Sequence, residues 1–206
     1  MRCWLIVILI APPSLYATQT NATLLVFGDS LSAGYGIERE QQWASLLQKR
    51  LQDTKIDVTV INHSISGEIT AGGVARLPAS LQEIRPDFLI LALGANDGLR
   101  GLSLTAMKDN LQRMISMALK NRTRVILVGM KLPVNYGPAF NKLFHQQYAD
   151  LARDNEVIFI PFLLERIGEN IDWFQADGFH PTAAAQKQIL AHVWDTLEPL
   201  LGKNRK

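Results

Sequence analysis

Two short motifs near opposite ends of this chain hold the side chains that serine-based hydrolysis needs. Gly28-Asp29-Ser30-Leu31-Ser32 follows the apolar run Leu24-Leu25-Val26-Phe27, and Asp177-Gly178-Phe179-His180-Pro181 lies far downstream. A serine hydroxyl is a weak nucleophile until a base removes its proton. A neutral imidazole can take that proton and later return it, which makes His180 the candidate base. Asp177, three residues earlier, can accept the other ring N–H and fix the tautomer. Taken singly, each motif also reads as an ordinary turn, because Asp, Gly and Pro are common turn residues. Asp-Gly-Phe-His-Pro would then be a turn ahead of a helix capped at Pro181/Thr182. Ser64 and Ser66 are rival hydroxyls in principle.

Acyl transfer also needs preorganised donors for the oxyanion of the tetrahedral intermediate. The Ser30 backbone N–H is one candidate. Gly67 can let its backbone approach closely, having no Cβ. Asn96 can add a side-chain N–H, which an ionised Asp could not.

These residues must be held by other elements, and the pattern of the chain supplies them. Apolar runs at Thr23–Phe27, Val58–Ile61, Phe88–Leu93, Val125–Val128 and Val157–Ile160 are short and continuous. Such runs suggest strands buried on both faces, as in a parallel sheet. Helical spacing appears in the stripes Trp43-Leu46-Leu47-Leu51, Leu104-Met107-Leu111-Met114-Ile115-Ala118 and Phe140-Leu143-Phe144-Tyr148-Leu151. It returns from Ala183 to Leu200, and the Met and aromatic members read as core. Strands alternating with helices imply right-handed crossovers and a three-layer α/β/α sandwich. Ligands of such folds gather beyond the carboxyl ends of the strands. Ser30, Ser66-Gly67-Glu68, the Asn96 segment and Lys131–Gly137 each follow a predicted strand, and Asp177/His180 precedes the last helix. Five loops can therefore meet on one rim.

Bulk properties narrow the class. A chain of 206 residues with 48% hydrophobic content suits one globular domain, expected over 22–201. A net charge of +2 without a dense basic stripe argues against nucleic acid as a partner. Met1-Arg2 followed by the apolar run Cys3–Ala11 and Pro12-Pro13 reads as a secretory signal peptide over residues 1–17, with the cut near Ala17. The run is about half of the roughly 20 residues a bilayer span needs, so no membrane anchor is expected. Residues 202–206 read as a flexible basic tail. The only cysteine, Cys3, falls in the segment expected to be removed, leaving no disulfide, thiol nucleophile or cysteine metal ligand. The remaining histidines, His63, His145 and His192, read as structural or exposed, and no metal-ligand spacing is present.

Ser30, Gly67, Asn96 and His180 fall in order in four blocks that resemble those of the SGNH (GDSL) hydrolase family. Gly28–Tyr35, Arg76-Leu77-Pro78, Gly94–Gly101, Leu132–Gly137 and Asp177–Pro181 are similar to its bacterial periplasmic branch of thioesterases, lysophospholipases and arylesterases. The resemblance spans the whole expected mature chain. It implies a flavodoxin-like five-stranded parallel sheet, with Ser30 as nucleophile, His180 as base and Asp177 orienting it. It implies an oxyanion hole of the Ser30 and Gly67 amides and the Asn96 side chain, and no cofactor. Substrate contacts would come from Asp29, Ile65, Leu99, Pro133, Asn135 and Tyr136. Ala95 and Glu68 depart from the branch, standing where Gly and Asp are common, and bear on substrate preference more than mechanism. A monomeric, periplasmic or secreted enzyme acting on fatty-acyl esters and thioesters is expected. A short-chain carbohydrate O-deacetylase on the same fold is the alternative enzyme, and an acyl- or lipid-binding protein with a vestigial triad the alternative from another class.

Overall fold

The computed structural model describes residues 21–168 and 170–202. The expected signal peptide and all but the first residue of the expected basic tail lie outside them. Among the described residues five strands form the sheet: β1 (Ala22–Gly28), β2 (Val58–Asn62), β3 (Phe88–Ala92), β4 (Arg124–Val128) and β5 (Ile158–Ile160). All pairings are parallel, in the order β2-β1-β3-β4-β5. Both faces of the central strands are covered. Leu24 to Phe27 and Leu89 to Leu91 are fully buried, which is why these segments read as continuous apolar runs and not as alternating ones.

Among the described residues seven α-helices follow the strands: α1 (Ser30–Ala33), α2 (Trp43–Asp53), α3 (Thr70–Ile84), α4 (Ala95–Leu99), α5 (Leu104–Lys120), α6 (Pro138–Asp154) and α7 (Gln186–Leu201). α2 packs on α7 across one face of the sheet, while α3, α5 and α6 pack in succession across the other. This split follows from the strand order. The chain steps from β1 to β2 in one direction and to β3, β4 and β5 in the other, and right-handed crossovers then put the helices on opposite faces. The direction reverses at β1, so the loops after β1 and β3 diverge and leave a crevice at their carboxyl ends. One contiguous apolar core runs through both layers. Among the described residues no helix is long and apolar enough to cross a membrane.

Two of the longer helices differ from expectation. α3 has no counterpart among the predicted helices, because Gly72, Gly73 and Pro78 interrupt its pattern. It forms nonetheless: a Cβ on Gly73 would lie 2.6 Å from Leu93 and 3.0 Å from the Met114 sulfur, so the missing side chain lets the helix sit close on the sheet. The final helix begins at Gln186, three residues later than predicted, because Ala183–Ala185 form a turn.

Candidate active site

β1 leads directly into α1, and that junction positions Ser30. Asp29 is the helix cap: its Oδ1 accepts the Leu31 N–H at 3.1 Å, and its carbonyl accepts from Ser32 and Ala33 at 3.1 and 2.8 Å. Ser30 is thus the first residue of a one-turn helix and not simply a turn residue. Its backbone N–H is among those a helix start leaves without an intrahelical partner.

His180 comes from a small antiparallel hairpin. Phe174 bridges to Pro181, the Gln175 N–H donates to the His180 carbonyl at 2.7 Å, and the Thr182 N–H donates to the Trp173 carbonyl at 2.8 Å. Asp177 sits at the tip. Its Oδ1 accepts the Phe179 and His180 backbone N–H groups at 2.9 and 3.0 Å, and its Oδ2 faces His180 Nδ1 at 2.7 Å. These bonds, the His180 backbone N–H first among them, hold the carboxyl down at about 2. The carboxylate stays ionised at neutral pH and accepts from Nδ1. That leaves the lone pair on Nε2, which lies 2.9 Å from Ser30 Oγ. The three groups therefore stand in line, with the acceptor aimed at the hydroxyl proton.

The other oxyanion candidates lie on two further loops, which Asn96 and Arg100 tie to each other. Asn96 lies in the first turn of α4, and its Nδ2 donates to the Glu68 carbonyl at 3.1 Å, which leaves its second N–H to spare. Gly67 has a φ of +78°, a conformation that suits only glycine well, and its carbonyl accepts from Arg100 Nη2 at 2.9 Å. The Gly67 N–H belongs to the preceding Ser66–Gly67 peptide, and no acceptor takes it among the described residues. The Glu68 carboxylate pairs with Arg76, with Nε to Oε1 at 3.0 Å, and the guanidinium lies 3.9 Å from the Phe27 ring centroid. Asp97 receives both the backbone N–H and the hydroxyl of Thr70, at 2.8 and 2.6 Å. The Gly67 loop is thereby braced to α3 and α4 together. Asn96→Ala is expected to lower kcat by roughly 10²–10³-fold with little loss of thermal stability, as removal of one oxyanion donor does. Steady-state kinetics beside a melting curve checks this, and a near-normal kcat would take Asn96 out of the hole.

Asp29, expected to touch substrate, does not. It is 1% exposed, its Oδ2 has no hydrogen-bond partner, and it serves as the helix cap. Burial lifts its carboxyl to about 7, helped by the neighbouring Glu68 and Asp97 charges and opposed by the Leu31 N–H. The folded chain therefore keeps a proton that the unfolded chain releases once pH passes about 4. This contribution to stability falls as pH rises from about 4 to about 7, then levels off. Asn can cap the helix equally well but does not titrate, so Asp29→Asn should gain stability relative to the parent as pH rises from 4.5 to 7.5. Urea unfolding at both pH values tests this, and a constant difference would refute it.

The other predicted contacts are spread around the mouth. Ile65 is exposed and Leu99 half-buried. Pro133 is half-buried, Asn135 is exposed, and the Tyr136 hydroxyl donates to the Leu99 carbonyl at 2.8 Å. Tyr136 thus ties its loop to α4. The rival hydroxyl of Ser64 instead accepts the Gly28 N–H at 3.1 Å, supporting the end of β1. His63, His145 and His192 contact Ser80 Oγ, the Met130 carbonyl and the Phe162 carbonyl. Among the described residues no cluster of His, Cys, Asp and Glu could hold a metal ion.

A parallel α/β/α sandwich with a Ser–His–Asp line at the carboxyl edge of its sheet defines a serine hydrolase. The model of the GDSL-like Lipase/Acylhydrolase family matches residues 26–188. The chain belongs to that family. It is 46% identical to Esterase TesA of Pseudomonas aeruginosa, over 87% of this chain and 89% of that protein. It is 42% identical to the Arylesterase of Vibrio mimicus, over 86% of this chain and 88% of that protein. It is 36% identical to Thioesterase 1/protease 1/lysophospholipase L1 of Escherichia coli K12, over 87% of this chain and 85% of that protein. A crystal structure of TesA superposes with a TM-score of 0.85, covering 87% of this chain and 99% of that one. The chain is accordingly a GDSL-type serine esterase and thioesterase.

Proposed function

We propose that the enzyme hydrolyses fatty-acyl esters and thioesters outside the cytoplasm, as a monomer, through a covalent acyl-Ser30 intermediate. The observation that carries this reading is the 2.9 Å approach of His180 Nε2 to Ser30 Oγ, with Asp177 behind it. Ser30 Oγ attacks the carbonyl carbon as its proton passes to His180 Nε2. The carbonyl oxygen becomes an oxyanion and takes the Ser30 and Gly67 N–H groups and the spare Asn96 N–H. Collapse of this intermediate expels the alcohol or thiol, which leaves with the proton from His180. Water then attacks the acyl carbon as its proton passes to the same Nε2. The bond from that carbon to Ser30 Oγ breaks, releasing the acid as Oγ takes the proton back from His180.

The preference for fatty-acyl substrates is supported by large apolar side chains left in water on the loops of this rim. Ile65, Leu102, Val134 and Phe179 are 48, 40, 83 and 50% exposed. An acyl chain laid over them would remove apolar surface from water, worth about 25 cal/mol per Å². The name of one relative, Thioesterase 1/protease 1/lysophospholipase L1, points the same way. Export to the periplasm or medium is supported by the signal-like Met1–Ala17 segment.

Initial rates on p-nitrophenyl esters from acetyl to palmitoyl, with fluorophosphonate labelling of Ser30, test the reading. A Ser30-dependent optimum at medium or long chains supports it. A rate confined to acetyl would replace it with a short-chain deacetylase, and neither turnover nor labelling would leave a binding protein.

A further inference from the structure

Nucleophile and base lie 150 residues apart in sequence, and the Ser30–His180 bond is not their only link. Tyr35 follows α1, and its backbone N–H donates to the Ser30 carbonyl at 3.2 Å. The Tyr35 carbonyl accepts from Gln175 Nε2 at 2.7 Å, and the same amide nitrogen donates to the Pro181 carbonyl at 3.0 Å. The Gln175 backbone N–H closes the circuit on the His180 carbonyl at 2.7 Å. Beyond this backbone chain, the Tyr35 ring lies against the imidazole, with centroids 4.4 Å apart and planes inclined at 38°. At that separation the rings meet over a face and not edge to edge.

The local sequence is shaped to allow this. A Cβ on Gly36 would stand 2.3 Å from Gln175 Oε1, so the amide could not close on Tyr35 if residue 36 carried a side chain. Tyr35 itself is 52% exposed, so core packing does not hold it in place. Its phenol oxygen makes no hydrogen bond among the described residues, which leaves the ring face as what the position supplies.

We propose that Tyr35 and Gln175 are positioning residues: together they form a strut that fixes the His180 ring against Ser30 and shields one imidazole face from water. This rests on His180 being the base. During turnover the imidazole becomes a cation, and an aromatic face beside it stabilises that charge. A ring held against rotation keeps Nε2 on the hydroxyl proton, where small displacements are costly. The groups directly facing the imidazole are the Asp177 carboxylate at Nδ1, the Ser30 hydroxyl at Nε2 and the Tyr35 phenol on its face; among the described residues Asp177 is its only ion-pair partner.

The test uses Tyr35→Phe, Tyr35→Ala, Gln175→Ala and the double alanine variant of the full chain, assayed on p-nitrophenyl butyrate. Tyr35→Ala is expected to lose on the order of 5–30-fold in kcat, with KM within about twofold, from the loss of the aromatic contact and of orientation. Tyr35→Phe should restore the rate. The double variant should fall no further than the worse single, since both act through one device. By NMR, the low-field His180 Nδ1 proton should broaden by exchange with water in Tyr35→Ala and stay sharp in Tyr35→Phe. A Tyr35→Ala kcat within twofold of the parent, a Tyr35→Phe as slow as the alanine, or fully multiplicative losses would overturn the strut. Absence of any Ser30-dependent turnover in the parent would instead overturn the proposed function, and the Nδ1 proton would then judge the strut alone.

Discussion

Ser30→Ala is expected to lower kcat by roughly 10⁶-fold, the scale seen when the nucleophile of a serine triad is removed. The substitution deletes one oxygen and leaves its surroundings in place. Asp29 caps α1 through the Leu31 N–H and not through Ser30, so the helix start survives, and so does the Ser30 backbone donor. Substrate affinity and melting temperature should therefore stay near those of the parent. Some catalysis over water should persist, about 10³–10⁴-fold, from oxyanion stabilisation and binding alone. Burst kinetics with a p-nitrophenyl ester, beside a melting curve, measures all of this. A variant within 100-fold of the parent would place the nucleophile elsewhere.

Asp177→Asn is expected to cost roughly 10⁴-fold in kcat, by presenting the wrong imidazole tautomer. The reason is local. Oδ1 of Asp177 accepts two backbone N–H groups, from Phe179 and His180. An asparagine must keep its only oxygen there, because an amide NH₂ cannot accept from them. Its nitrogen then faces His180 Nδ1, which becomes an acceptor and moves the ring proton to Nε2. That proton points at Ser30 Oγ, so the base can no longer take the hydroxyl hydrogen. The hairpin bonds are retained, so folding should be little affected. Asp177→Ala provides the contrast: it also frees the two amides and should lower the melting temperature as well. An Asp177→Asn enzyme within tenfold of the parent would show that orientation by Asp177 is dispensable.

Much of this architecture was legible because the chemistry is local to each block. All five strands lie within two residues of the apolar runs, and the signal is strongest in the central β1 and β3, where coverage on both faces demands an apolar run. The line of Ser30, His180 and Asp177 was legible in outline, because Asp177 and His180 sit on one turn and Ser30 ends a strand. What stayed hidden depends on contacts between distant segments. α3 carries no capping side chain of its own at Ile69; its first N–H is satisfied by Asp97, 27 residues downstream. No local signal for that helix start exists in the sequence. The burial of Asp29 is hidden for a related reason, since its position beside the nucleophile does not reveal that the carboxyl turns inward. Tyr35 belongs to the Gly28–Tyr35 block and Gln175 to none of the blocks, and only the fold shows that one amide joins the two catalytic loops.

The distance along the chain between Ser30 and His180 also governs when activity can appear. Ser30 is made early, but Asp177 and His180 belong to the last thirty or so residues, and the hairpin that holds them docks beside β1 only in a finished fold. A growing or unfolded polypeptide thus has a hydroxyl with no base, and cannot attack the acyl esters and thioesters around it. For a chain threaded through a membrane before folding, the wide spacing acts as a timer. Under the proposed export, its cutting power is withheld from the compartment that makes it and released only on arrival.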